Sequence, residues 1–152
     1  MEIEDKLFLA LCALILVAGC APQPPSPATI SALSADFNAA RVVVDTDCIF
    51  SAPVKNSFIA YRKFGLCLFS DSQLRLYYGG DKPSLAYSWP IASIISYAFY
   101  TDTFVLVTDA GNFGLVVKDA PSFIAVLQKQ RVPQDNKLPQ FRAKDPSPFA
   151  WM

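Results

Sequence analysis

The chain has 152 residues, with 13 basic and 13 acidic side chains, no histidine and four cysteines. This length is typical of a single domain, and the 53% apolar content supplies the aliphatic and aromatic residues that disordered chains lack. The absence of histidine excludes histidine metal sites and every histidine-dependent triad or dyad. The zero net charge removes the usual electrostatic signature of a nucleic-acid-binding protein.

The first apolar segment is an uncharged run of thirteen residues, 7–19 (LFLALCALILVAG). A membrane-spanning helix needs about 20 apolar residues, whereas the core of a signal peptide needs about 7–15. The run ends in Val17-Ala18-Gly19-Cys20, which resembles a bacterial lipobox. The resemblance implies a signal peptide over residues 1–19, a diacylglycerol and a further acyl chain such as palmitate on Cys20, and anchoring to a membrane.

Two features of this region leave alternatives open. The segment before the run carries three acids and one lysine, whereas signal peptides usually begin with positive charge, so the start codon lies later or this segment is atypical. The other interpretation is a buried apolar segment that ends at Cys20. By resemblance to enterobacterial sorting rules, Ala21 after the cysteine favours the outer membrane, facing the periplasm, over the inner membrane.

Residues 20–40 are predicted to comprise the lipidated cysteine, a proline-rich tether and a short lead-in helix. Four prolines in residues 21–27 (APQPPSP) favour a stiff, extended tether. Thr29 or Ser31 is expected to cap the helix, with Ile30, Leu33 and Phe37 on one face. Without residues 1–19 the chain carries 12 basic residues and 10 aspartates, a net charge of +2, and no glutamate. A pair of catalytic glutamates is therefore excluded.

Short runs of β-branched, aromatic and leucine residues separated by turn residues follow, which predicts an antiparallel β-sandwich or barrel. The predicted strands cover residues 42–50, 57–61, 64–70, 73–78, 85–89, 94–100, 104–108 and 113–118. Asp109-Ala110-Gly111-Asn112 predicts a hairpin in which Gly111 takes a positive φ. A helix follows from Asp119, its cap, to Gln130, with Pro121 in the first turn and an apolar face made by Phe123, Ile124, Val126 and Leu127.

Residues 132–152 form a proline-rich tail that the sequence predicts to be extended or flexible, because it has four prolines and no periodicity. Its aromatic residues, Phe141, Phe149 and Trp151, are candidate docking points.

The order of about seven short antiparallel strands followed by one amphipathic helix resembles the pleckstrin-homology (PH)-like superfold, including its GRAM-type members. The segments that carry this likeness are FGLCLFS at 64–70 with QLRL at 73–76, WPIASII at 89–95, and the final hairpin and helix over 104–130. The resemblance implies a mainly β fold over residues 41–131, a bent sheet whose open end the helix closes. A lipocalin-like barrel would need longer strands and usually eight of them.

The PH-like family often binds phosphoinositides through clustered basic residues between its first strands. Only Lys55, Arg62 and Lys63 lie in that region here, without the arginine-x-arginine spacing, so the phosphoinositide site is not expected in this chain. These residues are interpreted as a solvated face.

Cys48 and Cys67 are the two thiols left after Cys20, and in an oxidising envelope compartment an even pair suggests a disulfide. The alternative is two buried free cysteines that act as small apolar residues. A cysteine nucleophile is not expected, because there is no histidine to activate it.

Three further patterns contain residues that can bind ligands. Asp45 and Asp47 at alternate strand positions could share a face and bind a cation, but further oxygen ligands are not evident, so a polar strand face is the preferred interpretation. Gly79-Gly80-Asp81-Lys82 lacks the full phosphate-loop pattern and is interpreted as a turn. The aromatic residues of the strands could form an exposed patch for a partner or pack in the core and at its rim; they are Tyr77, Tyr78, Tyr87, Trp89, Tyr97 and Tyr100.

The sequence thus predicts a non-catalytic, lipid-anchored envelope protein with no cofactor and no metal site. Its β-domain is expected to bind a protein or peptide by strand addition or in a groove beside the helix. The alternative is a carrier or sensor of a small apolar ligand such as lipid, which would need a cavity inside the barrel.

Overall fold

The computed structural model describes residues 23–144. The strands are β1 (Val43–Ser51), β2 (Ile59–Phe69), β3 (Gln73–Tyr78), β4 (Ser84–Pro90), β5 (Ser96–Tyr100), β6 (Thr103–Thr108), β7 (Gly111–Val116) and β8 (Arg142–Lys144); the α-helices are α1 (Pro27–Ala35) and α2 (Ala120–Lys129). Among the described residues, seven strands pair antiparallel in the order β4-β3-β2-β1-β7-β6-β5, and β8 pairs with β2. The fold is mainly β with one helix after the seventh strand, which confirms the predicted antiparallel sheet closed by a C-terminal helix.

The end of β1 joins the two halves of the sheet. β1 pairs with β2 from Val43 to Ser51, but it pairs with β7 only at Ile49 and Phe50. The concave faces of the two halves therefore meet across a common interior. That interior is filled by side chains that alternate inward along the strands, among them Phe50, Phe104 and Phe113.

Helix α2, called the cap helix below, closes one end of this interior. Asp119 caps it by accepting a hydrogen bond from the backbone N–H of Ser122 (3.1 Å). Phe123 and Leu127 are its fully buried residues. The Phe123 ring lies edge-to-face 5.0 Å from both Phe69 and Phe104, which ties the helix to both halves of the sheet.

The segment before β1 covers the outer face of β2 and β3. Phe37 is buried with Leu66, Leu68 and Tyr77, and the Arg75 guanidinium lies 4.4 Å from the centre of the Phe37 ring. The helix of this segment begins at Pro27, earlier than predicted, because Ser26 rather than Thr29 or Ser31 caps it: the Ser26 hydroxyl accepts a hydrogen bond from the N–H of Thr29 (3.1 Å). Phe37 lies after the end of this helix, and not on the helical face on which it was predicted.

The sequence predicts residues 132–152 to be extended or flexible, and the structure holds residues 132–144, called the C-terminal arm below, against the sheet. The N–H of Tyr97 donates to the Pro133 carbonyl (3.0 Å), and the N–H of Asp135 donates to the Tyr97 carbonyl (2.8 Å). Phe141 is 8% exposed and packs against Gly114, as expected for a docking residue. The arm is ordered because it covers the outer face of β5–β7, which the strand pattern leaves apolar. Phe149 and Trp151 lie outside the described residues.

Two strand predictions need correction. Residues 57–61 and 64–70 were predicted as separate strands, but β2 runs unbroken because the charged pair between them, Arg62 and Lys63, reaches solvent while its backbone pairs with β1. The short strand β8 was missed. It pairs in parallel with the first residues of β2, which extend beyond the end of β1.

Candidate binding surface

Cys20, the predicted lipidation site, lies outside the described residues. None of the helices within residues 23–144 is both long and apolar enough to cross a bilayer.

Cys48 and Cys67 form a disulfide between β1 and β2, with their Cα atoms 5.9 Å apart. Both residues are fully buried in the interior beside Phe50 and Phe69. The bond therefore belongs to the core rather than to a solvent-accessible redox site, and it replaces the alternative of two free cysteines.

Asp45 and Asp47 do not share a face, because β1 bulges between Asp45 and Cys48. Asp45 is 4% exposed, and its carboxylate accepts hydrogen bonds from the N–H of Asp47 (3.0 Å) and the N–H of Lys118 (2.7 Å). Asp47 is exposed and forms an ion pair with the Lys118 ammonium (2.5 Å), which raises the pKa of Lys118 through the hydrogen bond and the charge of Asp47. Both carboxylates thus have structural partners.

The other two charged patterns lie in a turn and on exposed positions. Gly79-Gly80-Asp81-Lys82 connects β3 to β4, and a strand rather than a helix follows it, so the segment is a turn. Lys55, Arg62 and Lys63 are all exposed. Within residues 23–144 there is no group of three or more histidine, cysteine, aspartate or glutamate residues placed to hold a metal ion.

The aromatic residues of the strands do not form one exposed patch. Tyr77 is buried under the segment before β1, and Tyr97 is buried in the interior between the two halves of the sheet. Tyr87 and Trp89 stack with their ring centres 5.3 Å apart, and burial, followed by a hydrogen bond with Tyr78, raises the pKa of Tyr87. Tyr78, 41% exposed, is the rim of this cluster.

The two outermost strands differ as sites for strand addition. At β5, the C-terminal arm already pairs with Tyr97, so the chain itself occupies that edge. Strand β4 pairs on one side only, with β3, among the strands of residues 23–144. It begins after Pro83 and ends at Pro90, and its pairing with β3 is interrupted by a bulge between Leu76 and Tyr77 of β3. Prolines and bulges at an edge strand disfavour the addition of a further strand.

A groove of about 310 Å³ lies between the cap helix and the adjoining ends of β1 and β2, and we call it the cap-helix groove. Its lining residues are Ala40, Arg41, Val43, Phe69, Ser70, Asp71, Ser122, Ala125, Val126 and Lys129. The floor is apolar, and the charged residues stand at the rim. Such a combination suits an apolar anchor side chain with polar groups around it.

The rim of the cap-helix groove is held by contacts between the cap helix and the β2–β3 turn. The Lys129 ammonium pairs with the Asp71 carboxylate (2.9 Å), and the Gln130 side-chain amide donates to the Asp71 carbonyl (2.7 Å). Sequence reasoning placed Val126 on the apolar face of the helix but missed Arg41, Val43 and Asp71. Their sequence separation from the helix gives no local signal, since only the sheet brings them beside it.

Neither a protein-family model nor a curated protein matches this chain. Among solved structures, the chain is similar to the solution structure of the N-terminal PH domain of human ARAP2, with 15% sequence identity and a TM-score of 0.40. The match covers 70% of this chain and 91% of that chain.

Proposed function

We propose that this protein is a non-catalytic, membrane-anchored envelope lipoprotein whose β-domain binds a protein or peptide partner in the cap-helix groove. The groove carries the proposal, because it is concave, has the apolar floor of Val43, Phe69 and Val126, and bears charges of both signs at its rim. Helix-flanked grooves of this composition suit an apolar side chain of a peptide, with the rim charges fixing its orientation.

The groove is tested by filling it from the helix side. Ala125 is an exposed lining residue, so Ala125→Arg would project a long side chain into the groove without disturbing the core. Gln128→Arg is the matched control, because Gln128 is exposed on the same helix and does not line the groove.

Crosslinking in intact cells, followed by purification and mass spectrometry, measures partner yield for the wild type and both variants. We expect a stoichiometric protein partner with wild type and Gln128→Arg, and a loss of about tenfold or more with Ala125→Arg, as for a buried interface position. Equal partner yield from all three proteins would place the partner elsewhere.

The alternative, a carrier of a small apolar ligand inside the barrel, is less well supported by the interior. Trp89 stacks on Phe113 at 4.6 Å between ring centres, and Phe104, Phe113 and Phe50 are each at most 1% exposed, so packed rings occupy the space between the two halves. Lipid analysis of the same purified samples separates the two functions: stoichiometric lipid without a protein partner would favour the carrier.

The membrane anchor is tested separately from the groove. Cys20→Ser removes the thiol that lipidation needs, so we expect the protein to leave the membrane fraction. Cys12→Ser is the matched control, since it changes a cysteine within the apolar run and keeps Cys20. Unchanged membrane retention of Cys20→Ser would contradict the lipoprotein assignment while leaving the groove proposal intact.

A further inference from the structure

The parallel pair of β2 and β8 presents a distinct exposed face, which we call the basic strand face. It consists of Ile59, Tyr61 and Lys63 on β2 and Arg142 and Lys144 on β8. Ile59 pairs with Arg142 and Tyr61 pairs with Lys144, so these side chains project in register from one side of the ladder.

The opposite side of this ladder is packed, which fixes the direction of the exposed face. Ala60, between Ile59 and Tyr61, is buried with Ala98, Val105 and Phe141 under the C-terminal arm. Because successive side chains in a strand alternate sides, Ile59 and Tyr61 point away from that cluster. They are 42% and 52% exposed.

The charge on these two strands has one sign. β2 and β8 together carry Arg62, Lys63, Arg142 and Lys144 and no acidic side chain, although the chain from Cys20 onward has a net charge of only +2. Arg62 belongs to the other side of β2, so three cations flank the two exposed apolar residues. The face therefore complements a negatively charged partner that also offers apolar surface.

A groove of about 380 Å³ adjoins the basic strand face and shares two of its residues. It lies between the loop before β2 and the C-terminal arm, and it is lined by Asn56, Ser57, Phe58, Ile59, Pro139, Gln140 and Arg142. The N–H of Arg142 donates to the Phe58 carbonyl (2.8 Å), which holds the arm against the loop and keeps the groove walls together. The site is thus concave beside Ile59 rather than flat.

We propose that the basic strand face and this groove bind an acidic protein segment, one that carries carboxylates next to an apolar side chain. The apolar side chain would enter the groove beside Ile59, and the carboxylates would pair with Arg142, Lys144 and Lys63. Arg142 suits this role because a guanidinium binds a carboxylate with two parallel hydrogen bonds. Tyrosine and arginine beside a concavity are typical of protein interfaces.

The basic strand face is separate from the cap-helix groove, and its binding of an acidic segment does not require the membrane anchor. It is tested on unlipidated protein of residues 21–152, which contains every described core contact and whose folding is checked first by circular dichroism. The probes are a labelled peptide of alternating aspartate and leucine, the same peptide with asparagine for aspartate, and vesicles of neutral lipid with and without phosphatidylglycerol. Affinity is measured by fluorescence anisotropy and by co-sedimentation.

The variant Lys63→Gln/Arg142→Gln/Lys144→Gln removes the charge of the basic strand face. The control Lys82→Gln/Arg131→Gln/Lys137→Gln removes the same formal charge from other exposed positions. We expect the acidic peptide to bind about tenfold or more tightly than the asparagine peptide, and the first variant alone to lose that preference. Higher salt should weaken the binding, because screening acts on exposed charges.

Three results would overturn the proposal. Equal affinity for the acidic and asparagine peptides would remove the charge argument. Equal loss of affinity in both triple variants would show attraction to overall charge rather than to this face. Binding to phosphatidylglycerol vesicles without binding to the acidic peptide would assign the face to a membrane surface instead. None of these results bears on the Ala125→Arg experiment, so the two proposals fail independently.

Discussion

Asp45 is a buried carboxylate that links two distant parts of the chain at the bulge of β1. One oxygen accepts the N–H of Asp47 within the bulge, and the other accepts the N–H of Lys118 just after β7. Both donors belong to the backbone, so the side chain supplies acceptors that the irregular strand ends would otherwise lack. The residue therefore fixes the junction between β1 and the end of β7, which are neighbours in the sheet.

Replacing this carboxylate by an amide should be costly. Asp45→Asn keeps the shape but turns one acceptor into a donor that faces an N–H, so we expect the free energy of unfolding to fall by about 1–3 kcal/mol. Urea denaturation measures the change. Asp47→Asn is the control: its carboxylate is exposed and forms an ion pair with the exposed Lys118, so little change is expected. Equal effects of the two substitutions would contradict this account of Asp45.

At the scale of single elements, the stability of the cap helix depends on the charge of Asp119, its N-cap residue. Hydrogen bonds from the side chain and backbone of Ser122, and then the charge of Arg41, hold the pKa of Asp119 below its ordinary value. A carboxyl group whose pKa is lowered on folding stabilises the protein above its unfolded pKa, and that contribution disappears as the pH falls through the folded pKa. Acid should therefore weaken the attachment of the cap helix.

This pH dependence can be measured with Asp119→Asn, which keeps a capping oxygen but does not titrate. We expect the wild type to have the higher melting temperature at neutral pH and this advantage to shrink as the pH falls below about 4, where free aspartate becomes protonated. Thermal denaturation of both proteins across the acid range gives the comparison. An advantage that stays constant with pH would show that the charge of Asp119 does not contribute.

The C-terminal arm is the other element whose contribution can be isolated, because the chain offers two phenylalanines in opposite settings. Phe141 is 8% exposed over Gly114, whereas Phe64 on β2 is 69% exposed. Phe141→Ala should lower the free energy of unfolding by about 3–5 kcal/mol, since it empties a buried aromatic site. Phe64→Ala should change it little. If urea denaturation gave equally small changes in the free energy of unfolding for Phe141→Ala and Phe64→Ala, the packing of the arm would not stabilise the protein.

At the scale of the whole molecule, the Cys48–Cys67 disulfide crosslinks the neighbouring strands β1 and β2. The two cysteines are 19 residues apart in sequence. In the chain-entropy model, closing such a loop in the unfolded state is worth about 3 kcal/mol. The free energy of unfolding of the double variant Cys48→Ala/Cys67→Ala should therefore be lower by about that amount, and the variant should unfold at a lower urea concentration. Reductant should destabilise the wild type and leave the variant unchanged, and a wild type insensitive to reductant during unfolding would contradict the crosslink.

The fold class was predictable because its signals are local. Strand alternation, the turn at Gly111, the Asp119 cap and Pro121 in the first helical turn each depend on neighbouring residues, and each occurs in the structure as the sequence indicated. The bulge of β1 was not predictable in this way. It separates Asp45 from Asp47, and nothing in the spacing of the two aspartates distinguishes a bulged strand from a regular one.

Periodicity, caps and composition lie within short windows of the sequence, so they predict the mainly β architecture and the closing helix and leave Cys48 and Cys67 as the candidate disulfide pair. Tertiary packing orders residues 132–144, since this proline-rich segment has no periodicity and is fixed by the apolar outer face of β5–β7 on which it lies. It also assembled the cap-helix groove and the basic strand face. Each combines residues far apart in the chain, and only strand pairing and packing bring them together.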